Sequence, residues 1–194
     1  MILQVEQARA EHASTLTEIA ISAKRHWNYP ERWIEIWIPS LTISPEYISA
    51  HETWMAIVNT MPVGFYSLLD TVIAKRAFAP TTLAPHCVCC SAGEQFSSLC
   101  RRLLRSLSLP RNDGDSLWLD NLWVLPSFMG QGIGKQLFQH ALERSRALGE
   151  SVLKIEADPN AQSFYEKMGV RKVGERHSEI DGQPRILPIM EINL

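Results

Sequence analysis

The stretch from Leu117 to Leu137, LWLDNLWVLPSFMGQGIGKQL, constrains the chain more than any other. A run rich in Leu, Trp and Val ends at Pro126, which reads as a strand and its stop. Gly130, Gly132 and Gly134 follow at alternate positions and lead straight into KQLFQHALERSRAL, a helix. A strand, a glycine loop and a helix N-terminus together make an anion-binding device. Glycine has no Cβ to keep an anion off the backbone N–H groups, and the helix dipole favours negative charge there.

Spacing decides which anion-binding device this is not. A P-loop needs Gly-x-x-x-x-Gly-Lys-Ser/Thr. Counting back from Gly134-Lys135 puts Met129 where the first glycine belongs, and Gln136 stands where Ser or Thr belongs. A Gly-x-Gly-x-x-Gly dinucleotide fingerprint begun at Gly130 or Gly132 ends on Lys135 or Leu137. Both patterns fail.

The chain has 194 residues, enough for one domain with a sizeable core. Charged residues are 21% and hydrophobic ones 45%, in the range of a soluble globular protein. A formal charge of −2 gives no reason to expect nucleic acid as a partner. The opening MILQVEQARAEH lacks a basic stretch followed by an apolar run, so no signal peptide is expected. No apolar run reaches transmembrane length, so no membrane partner is expected. A cytoplasmic location is the expectation.

Taken in order, residues 1–7 read as a strand and Arg9 to Lys24 as a helix, with Leu16, Ile19, Ala20 and Ala23 at helical spacing. Pro30 starts a second helix that Pro39 is expected to end, and Pro45 starts a short third. Glu52 to Val58 and Pro62 to Leu69 read as a hairpin. Residues 71–116 break the style, being rich in Pro, Ser, Cys and Arg, with six Lys/Arg against three Asp/Glu. They read as an inserted surface segment with one basic amphipathic helix near 94–107. Its Cys87, Cys89, Cys90 and Cys100 are too tightly spaced for a zinc pattern. They read as free thiols rather than a metal site or a disulfide. After the central helix, Gly149 is a C-cap and Ser151 to Ala157 a strand. Asp158 to Met168 reads as a helix capped by Asp158 and ended by Gly169, and 170–177 and 185–194 as closing strands.

This order makes a single domain, 1–194, of the α/β class: a mixed central sheet flanked by helices, with one βαβ crossover at its centre. Two stretches carry a family resemblance. WVLPSFMGQGIGKQLFQHAL resembles the acetyl-CoA motif Val-x-Pro-x-x-Arg/Gln-x-x-Gly-x-Gly/Ala of the GNAT superfamily of acyl-CoA N-acyltransferases. DPNAQSFYEKMG resembles that superfamily's second motif. Upstream, SAKRHWNYPERW and VGFYSL, with GQPRILPIMEI in the tail, resemble a bacterial subgroup that usually lacks an assigned substrate. The departure is Met129, where most of the superfamily has Arg or Gln. Met at this place also looks usual in the subgroup, and Lys135 can supply a cation.

The resemblance implies a GNAT fold and an N-acetyltransferase that uses acetyl-CoA as co-substrate without a metal. The acceptor would be a primary amine of a small molecule or a peptide, attacked directly in a ternary complex. A homodimer is compatible with the resemblance. By the same route, a splay around Leu122, Trp123 and Val124 holds the acetyl carbonyl and pantetheine, and Gly130, Gln131, Gly132, Ile133, Gly134 and Lys135 hold the pyrophosphate. Asn160 touches the CoA arm, and Tyr165 protonates the departing thiolate. A phenol has a reference pKa near 10 and stays protonated at neutral pH.

The amine must lose a proton, and three groups compete for that role: Glu156, Asp120 and His26, alongside a water chain with no single base. Simple alternation places Asp120 with Leu122 and Val124 on one face of the strand, a parity that a bulge would reset. His26, Trp27 and Tyr29 fall in the segment that the resemblance places over the acceptor, where aromatic faces could hold a cation. Trp33 and Trp37, four apart, read as core contacts, and His26 equally as a helix-end histidine stacked on aromatic rings. The alternative for the whole chain is an acyl-CoA-binding module without catalysis.

Overall fold

Strand β4, Leu117–Val124, lies in the middle of a seven-stranded sheet whose order is β1-β2-β3-β4-β5-β7-β6. The computed structural model describes residues 3–70 and 117–194. The inserted segment, its basic helix and its four cysteines therefore lie outside the described residues. The other strands are β1 (Leu3–Gln7), β2 (Glu52–Val58), β3 (Met61–Asp70), β5 (Val152–Glu156), β6 (Arg171–Ile180) and β7 (Gln183–Asn193). The helices are α1 (Ala13–Arg25), α2 (Glu31–Leu41), α3 (Pro45–Ala50), α4 (Ile133–Ala147) and α5 (Gln162–Lys167). Every described pairing is antiparallel except β4 with β5, which α4 connects as a crossover. The mixed α/β sheet expected from the sequence is present.

Two apolar layers cover the sheet. On one face, Leu137, Phe138 and Ala141 of α4 pack with Leu117, Leu119, Leu153, Ile155 and Tyr165. On the other, Leu16, Ile19 and Ala20 of α1 pack with Met55, Phe65, Leu41 and Ile48. Each helix turns its apolar stripe to the sheet, which is why the period of 3.6 was visible in the chain. At about 25 cal/mol per Å2, burying each such Leu or Phe contributes about 2 kcal/mol.

Three local expectations are corrected. Pro39 does not end α2, which runs on to Leu41. The hydroxyls of Ser40 and Thr42 donate to the carbonyls of Trp37 and Ile38 at 2.9 and 2.7 Å, which satisfies acceptors of the last turn. Residues 158–168 are not one helix: Pro159–Ala161 forms a 3-10 turn before α5 begins. The closing strands are longer than expected because Asp181-Gly182, with φ of 50° and 72°, makes a tight two-residue turn between them. Both residues have positive φ, as a type I′ hairpin turn requires, and Asp-Gly was a legible signal for it.

The alternation expected along β4 also fails. In the pairing with β3, Ser67 lies opposite Asn121 and Leu68 opposite Leu119, so Asp120 is the extra residue of a bulge. Leu117 and Leu119 therefore share a core layer with Leu122 and Val124, while Trp123 joins the opposite layer.

Candidate functional site

β4 pairs with β5 only from Leu117 to Leu119, against Leu153 to Ile155. Past that point β4 stays bonded to β3 as far as Val124 but has no described partner on the β5 side. The bulge at Asp120 sits where the separation begins. A cleft of about 400 Å3 opens there, lined by β4 from Leu119 to Val124 on one side and by Glu156 to Asp158 on the other. The backbone N–H and C=O groups of the splayed strand face a gap rather than a neighbour, which leaves them available to a ligand.

The glycine loop begins at the end of β4. Pro126–Phe128 makes one 3-10 turn, then Gly130 and Gly132 take φ of 75° and 83°. L-residues rarely adopt this region. Gly132 is the N-cap of α4 and no side chain caps the helix, so its first-turn N–H groups are uncapped. A Cβ built on either glycine meets nothing within 4 Å. The space beside these N–H groups is therefore open, which fits an anionic group such as a pyrophosphate. Gln131 is tied back to the loop by a 3.0 Å hydrogen bond from its side-chain amide to the Ser127 carbonyl. Lys135 is exposed in the first turn. Ile133 is buried in the core and anchors the helix start. Gly134 stands next to Phe164, 3.5 Å from where its Cβ would be. Met129 is half-buried, packs on the core beneath the loop and lines the cleft.

Tyr165 projects from α5 into the cleft and is 6% exposed. Rings of Phe138 and Phe164 hold it edge-on at 5.7 and 5.1 Å. Burial, and secondarily the charge of Asp158, push its phenol pKa upward, so it stays protonated through the neutral range. Its hydroxyl makes no hydrogen bond to any described residue.

Both carboxylates singled out in the sequence line the cleft. Glu156 is paired with Arg176 of β6. Asp120 accepts hydrogen bonds from the hydroxyl of Tyr47 and, at 2.9 Å, from the side-chain amide of Asn121. That amide also reaches Ser67 at 2.8 Å, while Trp123 Nε1 donates to the Asn121 side-chain oxygen at 2.8 Å. Burial and the Asp120 charge raise the Tyr47 pKa, so the phenol remains a donor. No cation pairs with Asp120 among the described residues.

The opposite wall comes from α1, α2 and the β6–β7 ribbon. Trp27 and Trp37 line it, so Trp37 is a cleft residue as well as a packing one. Trp33 meets Trp37 edge-on and Tyr29 at a tilt, each with ring centroids 5.9 Å apart. His26 is exposed, edge-on to Trp27 at 5.7 Å, and is not among the lining residues. Tyr29 donates its hydroxyl to Asp158 at 2.8 Å, and Asn160 donates its side-chain amide to the same hydroxyl at 2.8 Å. Burial, then the bond to Asp158, push the Tyr29 phenol up to about 12. Asp158 caps the Pro159–Ala161 turn through the Asn160 N–H, as expected, and also accepts from Lys24 Nζ at 2.5 Å.

Lys24 and Arg185 were absent from the residues picked out in the sequence. Lys24 lay at the end of a helix reading, with nothing local to mark it. Its partner Asp158 is 134 positions away. No pattern at short range could have paired them. Among the described residues, no group of three or more His, Cys, Asp and Glu could hold a metal ion. None of their helices is long and apolar enough to cross a membrane.

Residues 106–184 match the family described as "Acetyltransferase (GNAT) domain". Over 74 residues the chain is 36% identical to the peptidyl-lysine N-acetyltransferase YjaB of Salmonella typhimurium. The match covers 38% of this chain and 48% of that protein, so the chain spans about half the length of that curated relative. A GCN5-related N-acetyltransferase from Rhodopseudomonas palustris superposes over 100% of this chain and 99% of its own, with a TM-score of 0.65 and 18% identity. The PaiA N-acetyltransferase from Thermoplasma acidophilum, solved in complex with coenzyme A, does so over 100% of both chains, with a TM-score of 0.61 and 17% identity. At such identities these two likenesses concern the fold.

Proposed function

We propose that the chain, whose residues 106–184 match the GNAT acetyltransferase family, is an N-acetyltransferase acting on a primary amine with acetyl-CoA. One observation supports the reading: the splayed edge of β4 and Tyr165 line one cleft, which Met129, at the head of the uncapped glycine turn, also lines. Acetyl-CoA supplies a thioester whose acetyl carbon passes to the amine, one proton leaving the nitrogen and one reaching the departing sulfur.

The chain's own groups divide this work. Gly130, Gln131, Gly132, Ile133, Gly134 and Lys135 bind the pyrophosphate with backbone N–H groups and the lysine charge. Asn160 lies at the rim beside Tyr29 and contacts the CoA arm. Leu122, Trp123 and Val124 offer unpaired backbone groups to the pantetheine, and their N–H groups hold the carbonyl oxygen as charge develops on it. Tyr165 holds a proton at its hydroxyl for the sulfur, and burial keeps that proton in place. Asp120 takes the proton of the amine. It is preferred to Glu156 because Arg176 occupies Glu156, whereas no cation neutralises Asp120 among the described residues. Trp27 and Tyr29 shape the acceptor side, with His26 at its margin. The acceptor belongs to a small molecule or a peptide, and the lysine-acetylating relative keeps the second option in view. A cytoplasmic location goes with this reading, and the subunit count is read by light scattering.

The test is release of CoA thiol from acetyl-CoA with a panel of amines, on the wild type and on Tyr165→Phe. Amine-dependent release that falls about a hundredfold in the variant is expected. Binding of acetyl-CoA with no amine ever stimulating release would make the chain an acyl-CoA-binding module instead.

A further inference from the structure

Two cations share one carboxylate in the acceptor-side wall of the cleft. Lys24 Nζ lies 2.5 Å from Asp158 Oδ2, and Arg185 Nη2 lies 3.4 Å from the same oxygen. The Lys24 and Arg185 side chains are only 9% and 11% exposed. Asp158 has little left to give, because its other oxygen already accepts from Tyr29 at 2.8 Å and from the Asn160 N–H at 3.0 Å. Arg185 carries five N–H donors. Among the described residues its guanidinium makes that one long bond to Asp158, lies 4.7 Å from the Trp37 ring centroid and 5.5 Å from that of Tyr29, and approaches the Tyr29 hydroxyl closely enough to lower its pKa.

A charge this far from water is ordinarily matched by a counter-charge. The nearby pair does not supply one: Glu156 is held by Arg176. The electrostatics of Lys24 agree. Burial lowers its pKa, Asp158 opposes that shift, and Arg185 lowers it further, as a neighbouring cation does. In the β6–β7 ribbon Ser178 is the register partner of Arg185, and both line the cleft. This adds a hydroxyl donor beside the guanidinium. Across the gap, on β4, stands Asp120, which no cation pairs with among the described residues. One wall thus carries a surplus positive charge and the other a surplus negative one.

We propose that the acceptor is an amine bearing its own carboxylate, a small amino-carboxylate such as an amino acid, whose carboxylate sits on Arg185 and whose amine faces Asp120. This rests on the acetyl-transfer reading above. The anion is not the CoA pyrophosphate. The glycine loop leaves the end of β4, while Arg185 is on β7, with β5 between those strands. The bound carboxylate adds the anion that the Lys24–Asp158–Arg185 group lacks and gives the guanidinium a bidentate partner.

The experiment uses matched pairs of amines: L-alanine with L-alaninamide, β-alanine with β-alaninamide, and γ-aminobutyrate with its amide. A lysine peptide free of carboxylates is included. Steady-state kinetics are run on the wild type, Arg185→Gln and Arg185→Lys. At least one carboxylate-bearing amine is expected to exceed its amide in kcat/KM by about 10- to 100-fold. Arg185→Gln removes that preference, Arg185→Lys retains part of it, and KM for acetyl-CoA changes little in both. Affinity for CoA in each variant separates this result from misfolding. Acetylation of amides, or of the carboxylate-free peptide, as well as the acids overturns the inference and leaves the acetyltransferase reading standing. A rise in KM for acetyl-CoA in Arg185→Gln, with the acid preference intact, also overturns it. No acetylation of any amine, with acetyl-CoA bound, defeats both.

Discussion

The two walls of the cleft are built on different principles. One consists of β4, the glycine loop and the start of α4, a continuous run from Leu117 to Lys135 that works through backbone: a bulge, unpaired strand edges and two left-handed glycines. The other is assembled from side chains on α1, α2, the turn before α5 and the β6–β7 ribbon, meeting around Asp158. The backbone wall suits a ligand part shared across a whole family. The side-chain wall can vary one residue at a time, and it is where acceptor choice is expected to lie.

The difference can be broken most forcefully at Asp158. Asp158→Ala leaves Lys24 and Arg185 buried without their carboxylate, a loss of about 3–5 kcal/mol in urea unfolding. Its pH dependence has a definite sign. Desolvation pushes the Asp158 carboxyl up, but the charge and hydrogen bond of Lys24, with the Asn160 and Tyr29 donors, outweigh it and hold the pKa below the ordinary 3.8. A depressed folded pKa gives stability that is present above the unfolded value and lost as pH falls through the folded one. The gap between wild type and Asp158→Ala therefore narrows below about pH 4.

Asp120→Asn probes the junction of the two walls. It preserves the shape of the bulge and removes the proposed proton acceptor. The expected result is a fall in kcat of about a hundredfold with little change in KM for acetyl-CoA. An unchanged kcat would return the proton to Glu156 or to water.

Gly132→Val acts on the backbone wall alone. A β-branched residue at φ of 83° costs about 1–2 kcal/mol, although its Cβ would meet nothing within 4 Å. The turn shifts to relieve that strain, and affinity for CoA measured by calorimetry falls about tenfold. Acceptor preference stays the same if the two walls are independent.

Met129→Arg is expected to have the smallest effect. Met129 packs on the core under the loop and lines the cleft. A guanidinium there adds charge near the proposed pyrophosphate site and is expected to tighten acetyl-CoA by about fivefold, a value kept modest by solvent screening.

Sequence alone dictates the strand, the glycine loop and the helix start of the backbone wall. A strand ending at Val-x-Pro, the glycine spacing and the helix period are local properties, and local geometry follows from φ/ψ preference and apolar periodicity. The same held for the hairpin of β2 and β3 and for the apolar faces of the helices, whereas Tyr165 was picked out by resemblance to the second motif. Tertiary structure alone decided the rest. The bulge that makes Asp120 the odd residue depends on the register with β3, set by packing across the sheet rather than by β4's own residues. Lys24, Asp158, Tyr29 and Arg185 meet only because α1 and the β6–β7 ribbon converge on the end of β5. A buried charge network of that kind is held by distances between distant elements, and residue spacing along the chain carries no record of them.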